Sequence, residues 1–234
     1  MNGRIFLIPV TLGGDDFKKV IPQQVIEITT SLRYFIVENL RSARRYLRLI
    51  DKSFPIDETH FFELNEHTKD AEISSFLSPL LEGNDIGLMS EAGLPGIADP
   101  GTNLIWAAHR KNIRIIPLTG PSSIIFAIIS AGMNGQNFTF NGYLPVKQSD
   151  REVKLKEIEK RSGHGEAQIF METPYRAQKM FDSVLSVCNP ETKLCIAADI
   201  TLESEFIKTK RISDWKKEIP QLNDRLIIFI LQAG

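Results

Sequence analysis

The sequence predicts an α/β chain in two parts: a mostly parallel N-terminal sheet with flanking helices, then a C-terminal domain on a mixed sheet. Three observations carry this. Short apolar runs alternate with helical patterns through the first half, as βαβ units do. The last two strands of the second half are joined by only a short helical segment, which suits antiparallel pairs rather than long crossovers. Between the halves, Pro117-Leu118-Thr119-Gly120-Pro121-Ser122-Ser123 breaks the alternation, setting the expected domains at 1–118 and 119–234.

In order, strands are expected at 5–10, 34–38, 60–64, 86–90 and 113–118, with helices near 17–31, 41–51, 70–82 and 102–111. An apolar helix follows at 124–131. Further strands are expected at 138–144, 167–172, 193–198, 205–211 and 226–231, with helices over 150–161 and 175–187 and a short helical segment near 213–218. No internal repeat or low-complexity linker interrupts the chain.

The 234 residues are 42% hydrophobic, enough for one large or two small cores. A net charge of -1 argues against a globally basic nucleic-acid binder and leaves a local basic patch open. Cys188 and Cys195 form no Cys-x-x-Cys pair, so a reducing cytoplasm is expected. His60, His67, His109 and His164 show no ligand spacing, and no metal site is expected. The N-terminus has no signal-peptide pattern, and the longest apolar stretch, 124–133, is short of the roughly 20 residues a bilayer span needs. A soluble intracellular protein with no membrane partner is expected.

Twelve positions, Ser90-Glu91-Ala92-Gly93-Leu94-Pro95-Gly96-Ile97-Ala98-Asp99-Pro100-Gly101, hold the densest signal. Glycines admit close backbone approach to a ligand, and prolines fix the loop in advance. Neither a Gly-x-Gly-x-x-Gly fingerprint nor a P-loop follows any strand, so the reading is a ligand without a pyrophosphate. Other loops follow strands in the same way: Pro9 to Gly14, Glu38 to Arg41, Thr119 to Ser123 and Glu172 to Arg176. A parallel sheet gathers the N-terminal ones at one edge, where α/β ligands bind.

Arg41, Arg44, Arg45 and Arg48 are spaced i, i+3, i+4, i+7 and share a helix face. Four arginines without a lysine point to anion recognition, the alternative being a solvated face paired with acids. The basic residues from Lys147 to Arg161, Arg151 among them, are interleaved with glutamates and read as an ordinary exposed helix.

Together, and in order, these loops resemble the tetrapyrrole methylase superfamily of S-adenosylmethionine-dependent methyltransferases. The chain looks most like the branch that 2′-O-methylates a cytidine of small-subunit ribosomal RNA. Four blocks carry the resemblance: the first strand with its proline loop, Ser90 to Gly101, Gly120-Pro121-Ser122 with Gly142-Tyr143-Leu144-Pro145, and Glu172-Thr173-Pro174-Tyr175-Arg176. It implies the two-domain tetrapyrrole methylase-like fold, with S-adenosyl-L-methionine in the cleft between the domains, and a homodimer acting on RNA or the small ribosomal subunit.

By the same resemblance Pro9, Glu91, Ala92, Gly93, Leu94, Pro95, Ser122, Ser123, Leu144, Met171 and Glu172 would bind the cofactor. Glu38, ending a strand, is the candidate base. Arg41 would hold a phosphate or orient Glu38, unless the two form a structural ion pair. Arg44, Arg45, Arg48 and Arg176 are candidates for substrate binding. The chain departs from the branch at Glu91 and Leu94, where Asp and Thr are usual, and across 198–204, where Arg, Lys and His are lost. Two alternatives therefore stand beside methyl transfer to RNA: a non-catalytic S-adenosylmethionine-binding paralogue, and a methyltransferase for a tetrapyrrole-like small molecule.

Overall fold

A computed structural model describes residues 2–65 and 68–234. The chain divides into two compact units, Met1–Ser122 and Ser123–Gly234. The first runs β1 Arg4–Ile8, α1 Gln23–Ser31, β2 Tyr34–Val37, α2 Leu40–Ile50, β3 His60–Glu63, α3 Asp70–Phe76, α4 Ser78–Leu81, β4 Ile86–Met89, α5 Gly101–Arg110 and β5 Arg114–Pro117. Its sheet has the order β3-β2-β4-β1-β5, parallel throughout.

Side-chain alternation explains the layers, because successive strand residues face opposite sides. Ile5, Ile36, Ile86 and Leu88 pack one face against Ile73, Leu77, Leu80, Leu104 and Ala108. Phe6, Ile8, Phe35, Val37 and Met89 pack the other against Ala43, Tyr46 and Leu47. Strands buried on both faces are near-continuous apolar runs, which is how β2 and β4 read.

The connections decide where a ligand sits. Those leaving β1 and β2 run towards the β3 edge, and those leaving β3 and β4 run towards the β5 edge. Adjacent strands whose connections diverge leave a crevice beyond their carboxyl ends. That pair is β2 and β4, with Val37 level with Met89.

The second unit runs α6 Ser123–Ser130, β6 Phe138–Tyr143, α7 Gln148–Ser162, β7 Ala167–Glu172, α8 Ala177–Val187, β8 Lys193–Ala198, β9 Phe206–Arg211, α9 Ile212–Trp215 and β10 Ile227–Gln232. Its sheet is mixed, in the order β6-β7-β10-β8-β9, with β6 and β7 parallel and the other pairs antiparallel. The last two strands are not neighbours: β10 inserts between β7 and β8. Leu155, Ile158, Phe181 and Val184 cover Phe170 and Phe229, and the buried Trp215 donates its Nε1–H to the Leu194 carbonyl at 2.9 Å.

Three sequence expectations are corrected. The helix over 17–31 splits into a short turn at Phe17–Lys19 and α1, because Pro22 holds extended backbone at the start of α1. The helix over 70–82 breaks at Leu77, and Pro79 sits in the first turn of α4, where its missing N–H costs nothing. Finally, Arg151 is not on an exposed face. It is buried, donating Nε–H to Ser183 Oγ at 3.0 Å and one terminal nitrogen to the carbonyls of Val146 and Pro145 at 2.7 and 3.4 Å.

Among the described residues no helix is long and apolar enough to cross a membrane. The buried guanidinium is testable. Arg151→Ala removes a buried side chain with its hydrogen bonds to Ser183, Val146 and Pro145, so the variant is expected to lose about 1–3 kcal/mol, read as a lower urea midpoint at unchanged slope.

Candidate functional site

Glu38 follows the last residue of β2, and Ser90 and Glu91 follow β4. Parallel register makes them neighbours, and the Glu91 N–H approaches Glu38 Oε2 at 3.4 Å. Asn39 starts α2 by accepting the Ser42 N–H at 3.0 Å, a standard helix cap. Ser42 Oγ, thereby fixed, donates to Glu91 Oε1 at 3.0 Å. Beyond these residues opens a cavity of about 720 Å³, lined by Glu38, Asn39, Asn65, Glu91, Asp99 and Asn103 among others. Among the described residues no lysine or arginine lines it.

The carboxylates set its electrostatics. Burial lifts Glu38 above the ordinary carboxylate range; the Glu91 N–H opposes this, and the charges of Glu91 and Asp99 reinforce it. Asp99 also shapes the loop. Its carboxylate accepts the Gly96 N–H at 2.8 Å and the Gly101 N–H at 2.8 Å, closing the turn that carries Ala98 at φ 58°.

The other side of the Ser90–Gly101 loop faces the ends of β1 and β5. Val10 donates its N–H to the Gly93 carbonyl at 2.9 Å. Gly93 sits at φ +71°, and a Cβ there would lie 3.2 Å from Leu12. At Gly120 a Cβ would fall 2.1 Å from Pro9 Cβ, so only glycine lets these two loops touch. The Tyr46 hydroxyl donates to the Pro9 carbonyl at 3.1 Å, fixing the first loop from α2.

Of the residues singled out in the sequence, Pro9, Glu38, Glu91, Ala92, Gly93, Leu94, Pro95 and Ser122 thus come together at one sheet edge of the first unit. Glu91 and Ala92 are exposed, whereas Gly93, Pro95 and Ser122 are buried. Glu38 and Arg41 form no ion pair among the described residues, and Arg41 is exposed. The arginine face is divided: Arg44 lies over the Phe61 ring at 5.4 Å, Arg45 pairs with Asp15 at 3.5 Å, and Arg48 donates to the Lys52 carbonyl at 2.6 Å, beyond the end of its own helix.

In the second unit, Ser123 begins α6. Tyr143 pairs with Met171, so Leu144 and Met171 meet at the ends of β6 and β7. The Leu144 side chain belongs to the core, leaving its backbone as the part able to face a ligand. Glu172 is buried and spends both oxygens locally, on Arg176 at 2.7 Å and on the Thr173 N–H at 2.8 Å. Arg176 is thereby committed to an internal ion pair.

The sequence placed the loops that hold Asn39 and Asp99 at this edge without giving either residue a role, and it did not single out Ser42, Asn65 or Asn103. Asn39 carried a readable signal, as a capping residue before a helix. The rest depends on strand order. Among the described residues no cluster of three or more His, Cys, Asp or Glu is placed to hold a metal ion, and His67 lies outside those residues.

Known structures share this architecture. The methyltransferase CobJ superposes with a TM-score of 0.64 at 14% identity, covering 99% of this chain and 95% of its own. Uroporphyrin-III-C-methyltransferase from Thermus thermophilus gives 0.55 at 14% identity, over 98% and 94%. The fold is that of these two methyltransferases.

Sequence relatives narrow the class. The ribosomal RNA small subunit methyltransferase I of Vibrio cholerae is 30% identical over 206 residues, 87% of this chain and 67% of that protein. That of Leptospira borgpetersenii is 31% identical over 209 residues, covering 88% and 78%. That of Escherichia coli O157:H7 is 28% identical over 220 residues, covering 93% and 73%. No protein-family model matches the chain. The chain belongs to the ribosomal RNA small subunit methyltransferase I family, and is a methyltransferase.

The raised proton affinity of Glu38 has a measurable sign. A carboxyl held above its ordinary value binds its proton more tightly folded than unfolded, so stability falls as pH rises from about 4.5 through the raised value. Glu38→Gln removes that loss. The melting-temperature difference between variant and parent is expected to widen in favour of the variant across this window and level off above it.

Proposed function

We propose that this protein transfers a methyl group from S-adenosyl-L-methionine to a ribose 2′-hydroxyl of small-subunit ribosomal RNA, as a cytoplasmic homodimer. The observation that carries the reading is Glu38, a carboxylate of raised basicity, held by the Glu91 N–H at the mouth of a cavity with no lysine or arginine among its described lining residues.

The residues fit the cofactor. Gly93 against Leu12 and Gly120 against Pro9 let the strand-end loops pack closely into a fixed floor, and the exposed Glu91 carboxylate beside it suits a cationic ligand. Pro9, Glu91 to Pro95 and Ser122 would hold it on the β1–β4–β5 side of the loop. When bound, S-adenosylmethionine supplies a methyl group already activated on a sulfonium, so the protein's work is alignment and proton handling.

The acceptor then belongs on the β2–β3–β4 side, in the cavity. A ribose hydroxyl is a weak nucleophile, and Glu38 is placed to take its proton onto a carboxylate oxygen as the oxygen attacks. Ser42 and the Asn39 cap hold Glu91 and so fix the surroundings of Glu38. The carboxylate lining repels phosphates, whereas Arg41, exposed on the first turn of α2 and unpaired with Glu38, is free to take one. Retention of this machinery favours catalysis over a merely binding paralogue. A polar lining of amides and carboxylates favours a nucleoside over an apolar macrocycle.

Isothermal titration with S-adenosylmethionine is expected to give saturable heat in parent and Glu38→Gln alike, while the variant's turnover on small-subunit RNA falls by about 10²–10⁴-fold. No heat with folded protein overturns the cofactor. An unchanged ribose-methylation map in a strain lacking the gene overturns the ribosomal acceptor and leaves methyl transfer standing.

A further inference from the structure

Helix α5 begins where the Ser90–Gly101 loop ends, and two residues of its first turn, Thr102 and Asn103, line the cavity. Trp106 lies four and three positions further on, so it shares their face, and helical side chains tilt towards the N-terminus, here towards the cavity. Its indole is 65% exposed and makes no ring or cation contact among the described residues. One turn beyond, at i+3 and i+4, His109 and Arg110 are exposed on the same face, followed by Lys111. From 101 to 112 there is no acidic residue. A strip therefore leads from the cavity rim through an unused aromatic surface to cationic side chains.

We propose that this strip carries single-stranded RNA away from the cavity, Trp106 stacking on a base next to the acceptor nucleotide and Arg110 holding a phosphate. The inference rests on the RNA-acceptor reading above. Flanking phosphates need a cation that the described residues of the cavity lining do not provide, and the α5 strip supplies one. Base–aromatic stacking beside a positive groove is how single strands are bound without sequence readout. A second copy of the chain suits this face less well. Trp106 stands among Thr102, Asn103, His109 and Arg110, whereas the buried centre of a homodimer interface is mainly apolar.

The chain's two tryptophans make the test direct, because Trp215 is 1% exposed and Trp106 reports alone on the surface. Titration of a ten-nucleotide, mixed-sequence oligoribonucleotide is expected to quench the exposed emission saturably. Trp106→Ala should abolish the quench and, by fluorescence anisotropy of a labelled oligonucleotide, weaken binding about 5- to 150-fold, the range of one lost stack. Arg110→Ala should weaken binding and lower the slope of log affinity against log salt by about one. S-adenosylmethionine titration should be unchanged in both variants. Equal RNA affinity in parent, Trp106→Ala and Arg110→Ala overturns this inference alone. Failure of the parent to bind the oligonucleotide overturns it together with the RNA reading. A change in sedimentation mass in Trp106→Ala, with RNA affinity retained, assigns the face to a second copy instead.

Discussion

Parallel pairing of β2 with β4 is the constraint on which the site depends. Val37 and Met89 lie side by side, so the residues that follow, Glu38 on one strand and Ser90–Glu91 on the other, leave the sheet at the same height. From that point the two connections diverge, and the cavity opens beyond them. The crevice is a product of strand order. Glu38 accepts the Glu91 N–H because the sheet delivers both there, and Ser42 reaches Glu91 because α2 starts at once, capped by Asn39.

The Ser90–Gly101 loop converts that crevice into a site with two sides. A twelve-residue loop would lose much entropy on ordering unless tied down. Here it is tied at four points: the Val10–Gly93 hydrogen bond, the Asp99 carboxylate on Gly96 and Gly101, the Glu91 N–H on Glu38, and the Ser42–Glu91 bond. These ties join it to neighbouring strand-end loops, to α2 and to itself. The same loop therefore packs its glycine backbone against the loops that follow β1 and β5 and turns carboxylates towards β2 and β3. An in-line transfer then requires donor and acceptor to meet past the edge of this loop, with the reacting atoms about 3–3.5 Å apart.

Much of this was legible in the sequence because parallel strands buried on both faces leave an unbroken apolar signature, as in Phe35-Ile36-Val37 and Ile86-Gly87-Leu88-Met89. The loops between them stood out by their Gly and Pro content, and Glu38 by its place at a strand's end. What escaped has physical reasons. Cavity-lining Asn65 and Asn103 come from connections that meet only through the β3-β2-β4 order, which no local pattern encodes. Arg151 was hidden by a helix rich in Lys and Glu, although Arg151, Leu155, Ile158 and Ser162 fall at i, i+4, i+7 and i+11 and form its buried stripe. Hydropathy alone places arginine outside; periodicity places it inside, and periodicity prevails because three polar atoms are waiting for its donors. The Glu172–Arg176 pair misleads in the opposite sense, since residues that look available for ligands are spent on one another.

Charge is the remaining thread. The chain is nearly neutral overall, yet its distribution around the first unit is sharply uneven: carboxylates inside the cavity, arginines on the first turns of α2 and past Trp106 on α5. Burying Glu38 costs stability, and it is this burial first, with the charges of Glu91 and Asp99 adding to it, that makes Glu38 resist ionisation. A fold maintains such a cost where function uses it. For a polyanion whose reacting atom is a neutral hydroxyl, the uneven pattern is self-consistent. Phosphates are drawn to the cationic surface and turned away from the carboxylates, so the one part of the strand that can enter the cavity is the uncharged nucleoside. The carboxylates that add to the effect of burial on Glu38 thereby also select which group of the substrate reaches it.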